Sequence, residues 1–234
     1  MKNHSKRHRE NVQDLDRSKL HNLGEALEAV LGAKHPRFDE SLEVSIRLGV
    51  NPKKADQQVR GTMVLPHGTG KRKRILVITK GEAINEATEA GADYAGYEDM
   101  IAKIQGGWLE FDTVVATPDV MRDVGKLGKI LGTKGMMPNP KAGTVTPKVA
   151  QAIKEIKAGR VEYRVNNEGL VNFGAGKLSF GKDKLHDNVK FAVETILKAK
   201  PSGAKGQYMK GVAVASTMGP GLKMDPASLT AQFR

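Results

Sequence analysis

Cysteine is absent from the 234 residues, which excludes disulfides, thiolate nucleophiles and cysteine-ligated zinc together. A reducing cytosolic setting fits. No apolar run approaches the roughly 20 residues that a membrane span needs, and the opening MKNHSKRHRENVQDLDRSK has no apolar core of the secretory kind, so no membrane partner is expected. Among six histidines only His4 and His8 have a helical metal-ligand spacing. They lie in a polar segment without a third ligand, and no metal site is expected. Glu10, Asp14 and Asp16 argue against a transit peptide, and the basic leader is expected to be a disordered extension.

An intact phosphate loop is also missing. LPHGTGKRKRILVITKGE, from Leu65, has two glycines and a lysine, but Leu65 stands where the first glycine of a P-loop belongs and Arg72 where its hydroxyl belongs. The loop precedes the strand RILVIT, whereas a P-loop follows a strand and opens a helix. No G-x-G-x-x-G follows any strand, and no catalytic pair stands out, so no cofactor is expected and a nucleotide-dependent transferase is the disfavoured alternative. A third class is an RNA chaperone with no defined site, which would bind weakly and with uniform salt sensitivity.

What is present is positive charge. Lys and Arg number 38 against 26 Asp and Glu, a net +12, in a chain whose 39% hydrophobic content suffices for packed cores. The excess runs along the chain, which points to a polyanion, nucleic acid being the commonest for a folded domain. Residues 82–119 hold one basic side chain, Lys103, against nine acidic ones, while 122–148 hold six basic ones and only Asp123.

The pattern of elements changes twice. LGEALEAVLGA sets Leu23, Ala26, Leu27, Val30 and Leu31 on one helical face, and SLEVSIRLG alternates Leu42, Val44, Ile46 and Leu48 with polar residues. QVRGTMVL is a second strand. After Arg72 the style becomes short, nearly continuous apolar strands (RILVIT, ADYAG, DTVVAT), each followed by a helix-like stretch, PDVMRDVGKLGKIL among them. From Arg160 alternation returns in RVEYRVNNEGLVNFG, read as a hairpin turning at Asn166–Gly169, then the helix KLHDNVKFAVETILKAK and the strand GQYMKGVAVAST. The expected fold is α+β and α/β. An outer two-layer α/β sandwich with an antiparallel sheet (1–67 and 160–234), the RNA-binding domain, is interrupted by a Rossmann-like three-layer insertion (68–159). Pro66, Gly68 and Gly70 then suit a hinge at the crossover between the two.

Two loops look like sites without catalytic equipment. GTKGMMPNPKAGTVTP, from Gly132 to Pro147, is either an RNA-touching loop offering Lys134 and Lys141 or a rigid connector with Met136 and Met137 tucked inside. STMGPG, from Ser216 to Gly221, is either a capped strand end or a turn presenting Ser216, Thr217 and Met218 to ribose hydroxyls and phosphates. Near the first strand, Arg37 and Phe38 could stack on RNA and Glu43 could accept from 2′-OH or base N–H groups.

FDESLEVSIRLGVNP, QVRGTMVLPHGTGK, GADYAG, FDTVVATPDVM, LGKILGTKGMMPNPKAGTV, IKAGRVEYR and STMGPG, in this order and spacing, closely resemble the bacterial form of the L-one family of large-subunit ribosomal proteins. The resemblance covers nearly the whole chain after the leader. It implies a cytoplasmic, ribosome-bound protein, a monomer when free. The implied protein binds large-subunit rRNA at the base of the mobile exit-site stalk, assists release of deacylated exit-site tRNA, and represses translation by binding its own mRNA operator. The family's RNA surface maps onto Phe38, Ser41, Glu43, Thr217, Met218 and Gly219, with Arg37, Ser216 and Pro220 as neighbours and Lys134 and Lys141 as a secondary contact. Threonine is common in the family at the position of Ser41; the hydroxyl is kept here and the methyl is lost.

Overall fold

A computed structural model of the chain describes residues 5–13, 15, 16 and 19–231; His4 and Asp14 lie outside them. Along the chain come α1 (Lys6–Gln13), α2 (Leu23–Gly32), β1 (Ser41–Leu48), β2 (Arg60–Val64), β3 (Ile75–Ile78), α3 (Ala83–Glu89), β4 (Tyr94–Gly96), α4 (Glu98–Gln105), β5 (Thr113–Ala116), α5 (Met121–Gly125), α6 (Gly128–Thr133), α7 (Val149–Lys157), β6 (Arg160–Arg164), β7 (Leu170–Lys177), α8 (Gly181–Lys198), β8 (Met209–Ser216), β9 (Leu222–Met224) and α9 (Pro226–Ala231). They form two compact units, Met1–Gly70 with Val161–Arg234, and Lys71–Arg160. No helix among the described residues is long and apolar enough to cross a membrane.

The first unit is built on an antiparallel sheet in the order β7-β1-β8-β9. Alternation in β1 turns Leu42, Val44, Ile46 and Leu48 inward, where they meet Leu23, Ala26, Leu27 and Val30 of α2 and Leu185, Val189, Ala192, Val193 and Ile196 of α8. Each fully buried aliphatic side chain there contributes roughly 1.5–3 kcal/mol. The opposite face of the sheet carries Glu43, Ser45 and Arg47 beside the small residues Gly174, Ala213 and Ala215. β2 and β6 form a separate two-stranded ribbon that sends Met63 and Tyr163 into the same core.

The expected hairpin over RVEYRVNNEGLVNFG is only partly present. Its turn closes, since Asn166 N–H donates to Leu170 O at 2.8 Å and Val165 bridges Val171. The two arms then diverge, β6 pairing with β2 and β7 with β1. A two-residue alternation marks a half-buried strand but carries no information about which strand it pairs with.

The second unit holds a parallel sheet, β4-β3-β5. All four residues of β3 are buried. Ile75, Val77 and Val115 face Ala87 of α3 and Val149, Ala152, Ile153 and Ile156 of α7, whereas Leu76, Ile78, Val114 and Ala116 face Ile104 of α4, Val124 of α5 and Leu131 of α6. Trp108 packs on this second cluster, edge-on to Tyr94 with ring centroids 4.7 Å apart. The outer edge of β5 is closed by residues 144–146, whose Thr144 O accepts from Ala116 N–H at 2.9 Å while Thr146 N–H donates to Ala116 O at 3.1 Å.

Two other expectations need correction. PDVMRDVGKLGKIL is not one helix: a 3₁₀ turn at Pro118–Val120 leads into α5, and α6 starts separately at Gly128. The N–H groups of Lys126 and Leu127 reach the carbonyls three residues back, between Gly125 and Gly128, where low helix propensity lets the chain tighten and turn. Nor is the leader a bare extension. Lys6–Gln13 is helical.

Candidate nucleic-acid interface

One end of the first unit's sheet gathers the start of β1, the end of β8 and the end of β7. Its organiser is Glu40, which is 2% exposed. One carboxylate oxygen accepts from Met218 N–H at 2.6 Å and from the Ser216 hydroxyl at 3.3 Å, and the other lies 2.6 Å from His35 Nδ1. A buried carboxylate without such partners would be costly. Here each oxygen is engaged by a hydrogen-bonding partner.

The turn after β8 is fixed by the same set of bonds. Thr217 extends the β1–β8 ladder with its side chain: its hydroxyl accepts from Ser41 N–H at 3.0 Å and its own N–H donates to Ser41 O at 3.1 Å. Gly219 N–H returns to Ser216 O at 3.1 Å, and a Cβ at position 219 would come within 2.4 Å of Ser216 Oγ. A side chain there would displace the hydroxyl that Glu40 holds. On the other flank Lys177 Nζ donates to Asp39 O at 2.8 Å, and the Asp39 carboxylate accepts from the Ser179 hydroxyl at 2.8 Å and the Ser179 N–H at 3.2 Å. A register shift between Leu42 and Glu43 opposite Gly174 and Gly176 marks a bulge beside this end, a device common next to binding sites.

The sequence-predicted residues therefore divide by role. Ser216 is buried at 4% exposure and, like that of Thr217, its hydroxyl is bonded to the chain at the start of β1. Phe38 and Met218 are turned outward, 54% and 53% exposed. Arg37 and Glu43 are exposed, Ser41, Gly219 and Pro220 partly so. The structure thus brings Phe38, Ser41, Glu43 and the 216–220 turn together around a carboxylate. Glu40 was not singled out, because a glutamate between Asp39 and Ser41 gives no apolar sign of burial. The signal that could have found it is the alternation of β1 itself, which continued back from Leu42 puts Glu40 on the buried face.

Lys134 and Lys141 belong to the second unit, and both are exposed. Their loop has the features of a rigid connector, one of the two readings offered for it. Met136 and Met137 pack on the core, and Asn139 pins the chain, accepting from Lys141 N–H at 2.9 Å and donating its own N–H to Thr144 Oγ1 at 2.8 Å. Near it Tyr97 O–H donates to Asp123 at 2.5 Å and Lys126 pairs with the same carboxylate at 2.8 Å. Lys126 and then Tyr97 hold Asp123 down at a pKa of about 2.

Pro66, Gly68 and Gly70 belong to the first unit. Asn188 of α8, fully buried, accepts from His67 N–H at 3.0 Å and donates to Gly68 O at 3.0 Å and Ala175 O at 2.7 Å. Gly70, at φ 70°, packs where a Cβ would meet Lys177 and Phe180 side chains at 2.8 and 3.0 Å. Gly70 thus serves a close approach to the β7 end. The parallel sheet's strand carboxyl ends, where nucleotide crevices form in open α/β sheets, carry instead Thr79 and Thr117, whose hydroxyls meet at 3.2 Å in a buried pair.

The model of the ribosomal protein L1p/L10e family matches residues 29–220. A protein of Protochlamydia amoebophila (strain UWE25) named large ribosomal subunit protein uL1 is 52% identical over 221 residues, 94% of this chain and 94% of that protein. The match spans β1, the Glu40 clamp and the turn as far as Pro220. With the family model covering most of the chain and so similar a relative aligned nearly end to end, the chain belongs to the ribosomal protein L1p/L10e family.

Proposed function

We propose that this chain is a ribosomal protein of the large subunit that binds large-subunit rRNA through the sheet end around Glu40. The observation that carries the reading is the clamp itself: a buried carboxylate holds the Met218 turn against the start of β1 and leaves Phe38 and Met218 facing outward. Aromatic and thioether surfaces suit unstacked bases and sugars, and the Ser41 hydroxyl and Glu43 carboxylate supply polar partners for 2′-OH and base N–H groups. Arg37 adds a cation for phosphate. The discontinuous domain of residues 1–67 and 160–234 is then the RNA-binding body, and residues 68–159 a Rossmann-like insertion reached through a hinge at Pro66–Gly70.

The finer roles are part of the same proposal: binding at the base of the exit-site stalk, assistance to departing deacylated tRNA, and repression through the chain's own mRNA operator. They need no cofactor and no catalytic group. The test is a titration of wild type and Met218→Asp against the stalk-base fragment of large-subunit rRNA and a scrambled duplex. Wild type is expected to prefer the stalk fragment by about a thousandfold, in the range of specific recognition, and the variant to lose that preference. Equal binding of the two RNAs by wild type would end the proposal. Nucleotide retention in equilibrium dialysis would turn attention to the transferase alternative.

A further inference from the structure

Helix α1 has the sequence KRHRENVQ and buries none of its residues. An isolated helix of this length is marginal in water, and without an apolar stripe it gains nothing from core packing. Something else holds it. The Asn11 side chain forms both bonds of a strand-like pair with the Lys34 backbone, Nδ2 donating to Lys34 O at 3.0 Å and Oδ1 accepting from Lys34 N–H at 2.9 Å. Lys34 Nζ also pairs with Glu10 at 2.9 Å, which offsets the one acidic residue of the helix. Lys34 directly precedes His35, the partner of Glu40, so the helix is fastened to the chain segment that organises the Met218 turn.

The helix keeps its cations outward. Lys6 and Arg9 are exposed, Arg7 is partly so, and none of the three makes an ion pair among the described residues. We propose that α1 is an RNA-contacting arm of the interface, with Lys6, Arg7 and Arg9 neutralising backbone phosphates next to the segment read at Phe38 and Met218. The proposal rests on the RNA-binding reading above and deepens it. Phosphate contacts position an RNA without reading its sequence, which matches a helix that offers charge and no exposed aromatic. Asn11 is the positioning residue: it touches no RNA and sets where the cations stand.

The test uses the full chain and the stalk-base rRNA fragment, titrated over a range of salt. Replacing Lys6, Arg7 and Arg9 by Gln should lower the salt slope by about 2–3, since each lost phosphate contact accounts for roughly 0.7–0.9, and weaken binding roughly tenfold or more. The control removes the same charge elsewhere, at the exposed Lys53, Lys54 and Lys205, and should leave the slope unchanged. Asn11→Ala changes no charge, yet should reproduce much of the loss, and adding it to the triple variant should change little further. An unchanged slope in the triple variant, or an equal loss in the control, overturns the arm while the preference of wild type for the stalk fragment keeps the RNA-binding reading. Loss of that preference in wild type itself takes both down. Because α1 buries nothing, the unfolding midpoint of the triple variant should match wild type.

Discussion

Glu40 occupies a position that the alternation of β1 reserves for the buried face, and its partners are backbone and side-chain donors from two distant parts of the chain. Removing it leaves Met218 N–H and the Ser216 hydroxyl without their acceptor. Glu40→Ala is therefore expected to lower stability by about 1.5–3 kcal/mol, read from the urea midpoint. The functional effect should exceed that of a general loosening. If the clamp holds the turn in its binding form, loss of a similar free energy leaves only a fraction of folded molecules competent, and affinity for the stalk fragment falls about tenfold to a hundredfold under conditions where the variant is fully folded. Glu40→Gln keeps an acceptor for Met218 N–H and should recover most of the affinity. Unaltered binding by Glu40→Ala would show that Met218 and Phe38 need no positioning.

At the scale of elements, what the sequence made legible were those whose burial is one-sided or complete. Leu42, Val44, Ile46 and Leu48 announce β1, and the unbroken run Ile75–Ile78 announces a strand covered on both faces, because in each case the pattern of side chains is set directly by contact with the core. Elements held by specific polar bonds were not legible. α1 depends on Asn11 and the 66–70 segment on Asn188, two residues that pass for ordinary surface polars. The same holds for α5, which is fastened to the end of β4 by Tyr97 and Asp123. Because Lys126 and Tyr97 depress Asp123 to about 2, below its ordinary 3.8, the folded chain releases this proton before the unfolded chain does. The resulting stability is present above about pH 4 and is lost as pH falls toward 2. Asp123→Asn should make the decline of melting temperature between pH 4 and pH 2 shallower. The slope that remains should include Asp112, whose carboxylate is also lowered, first by the Arg74 N–H. A profile identical to wild type would mean that Asp123 is no better partnered folded than unfolded.

On the proposed RNA-binding reading, the governing quantity for the whole molecule is the number of phosphates it neutralises, and the salt slope counts them. The chain carries +12, and its second unit separates charge along the sequence, six basic residues against one acidic over 122–148. Lys126 is engaged with Asp123, but Lys129, Lys134 and Lys141 are exposed and make no ion pair among the described residues. The loop that carries the last two is pinned by Asn139 and by packed methionines, so their charges are displayed from a fixed backbone. If that unit touches RNA, reversing Lys129, Lys134 and Lys141 to Glu should reduce the slope by about 2–3 while leaving the preference for the stalk fragment over a scrambled duplex intact, since phosphates carry no sequence. Met218→Asp should do the opposite, abolishing preference with little change in slope. The reversal and the neutralisation of α1 share no partner within the chain, so their decrements should add. A combined variant whose slope equals that of the α1 variant alone would assign the whole electrostatic contact to the first unit and leave the basic stretch of the second as solvated surface.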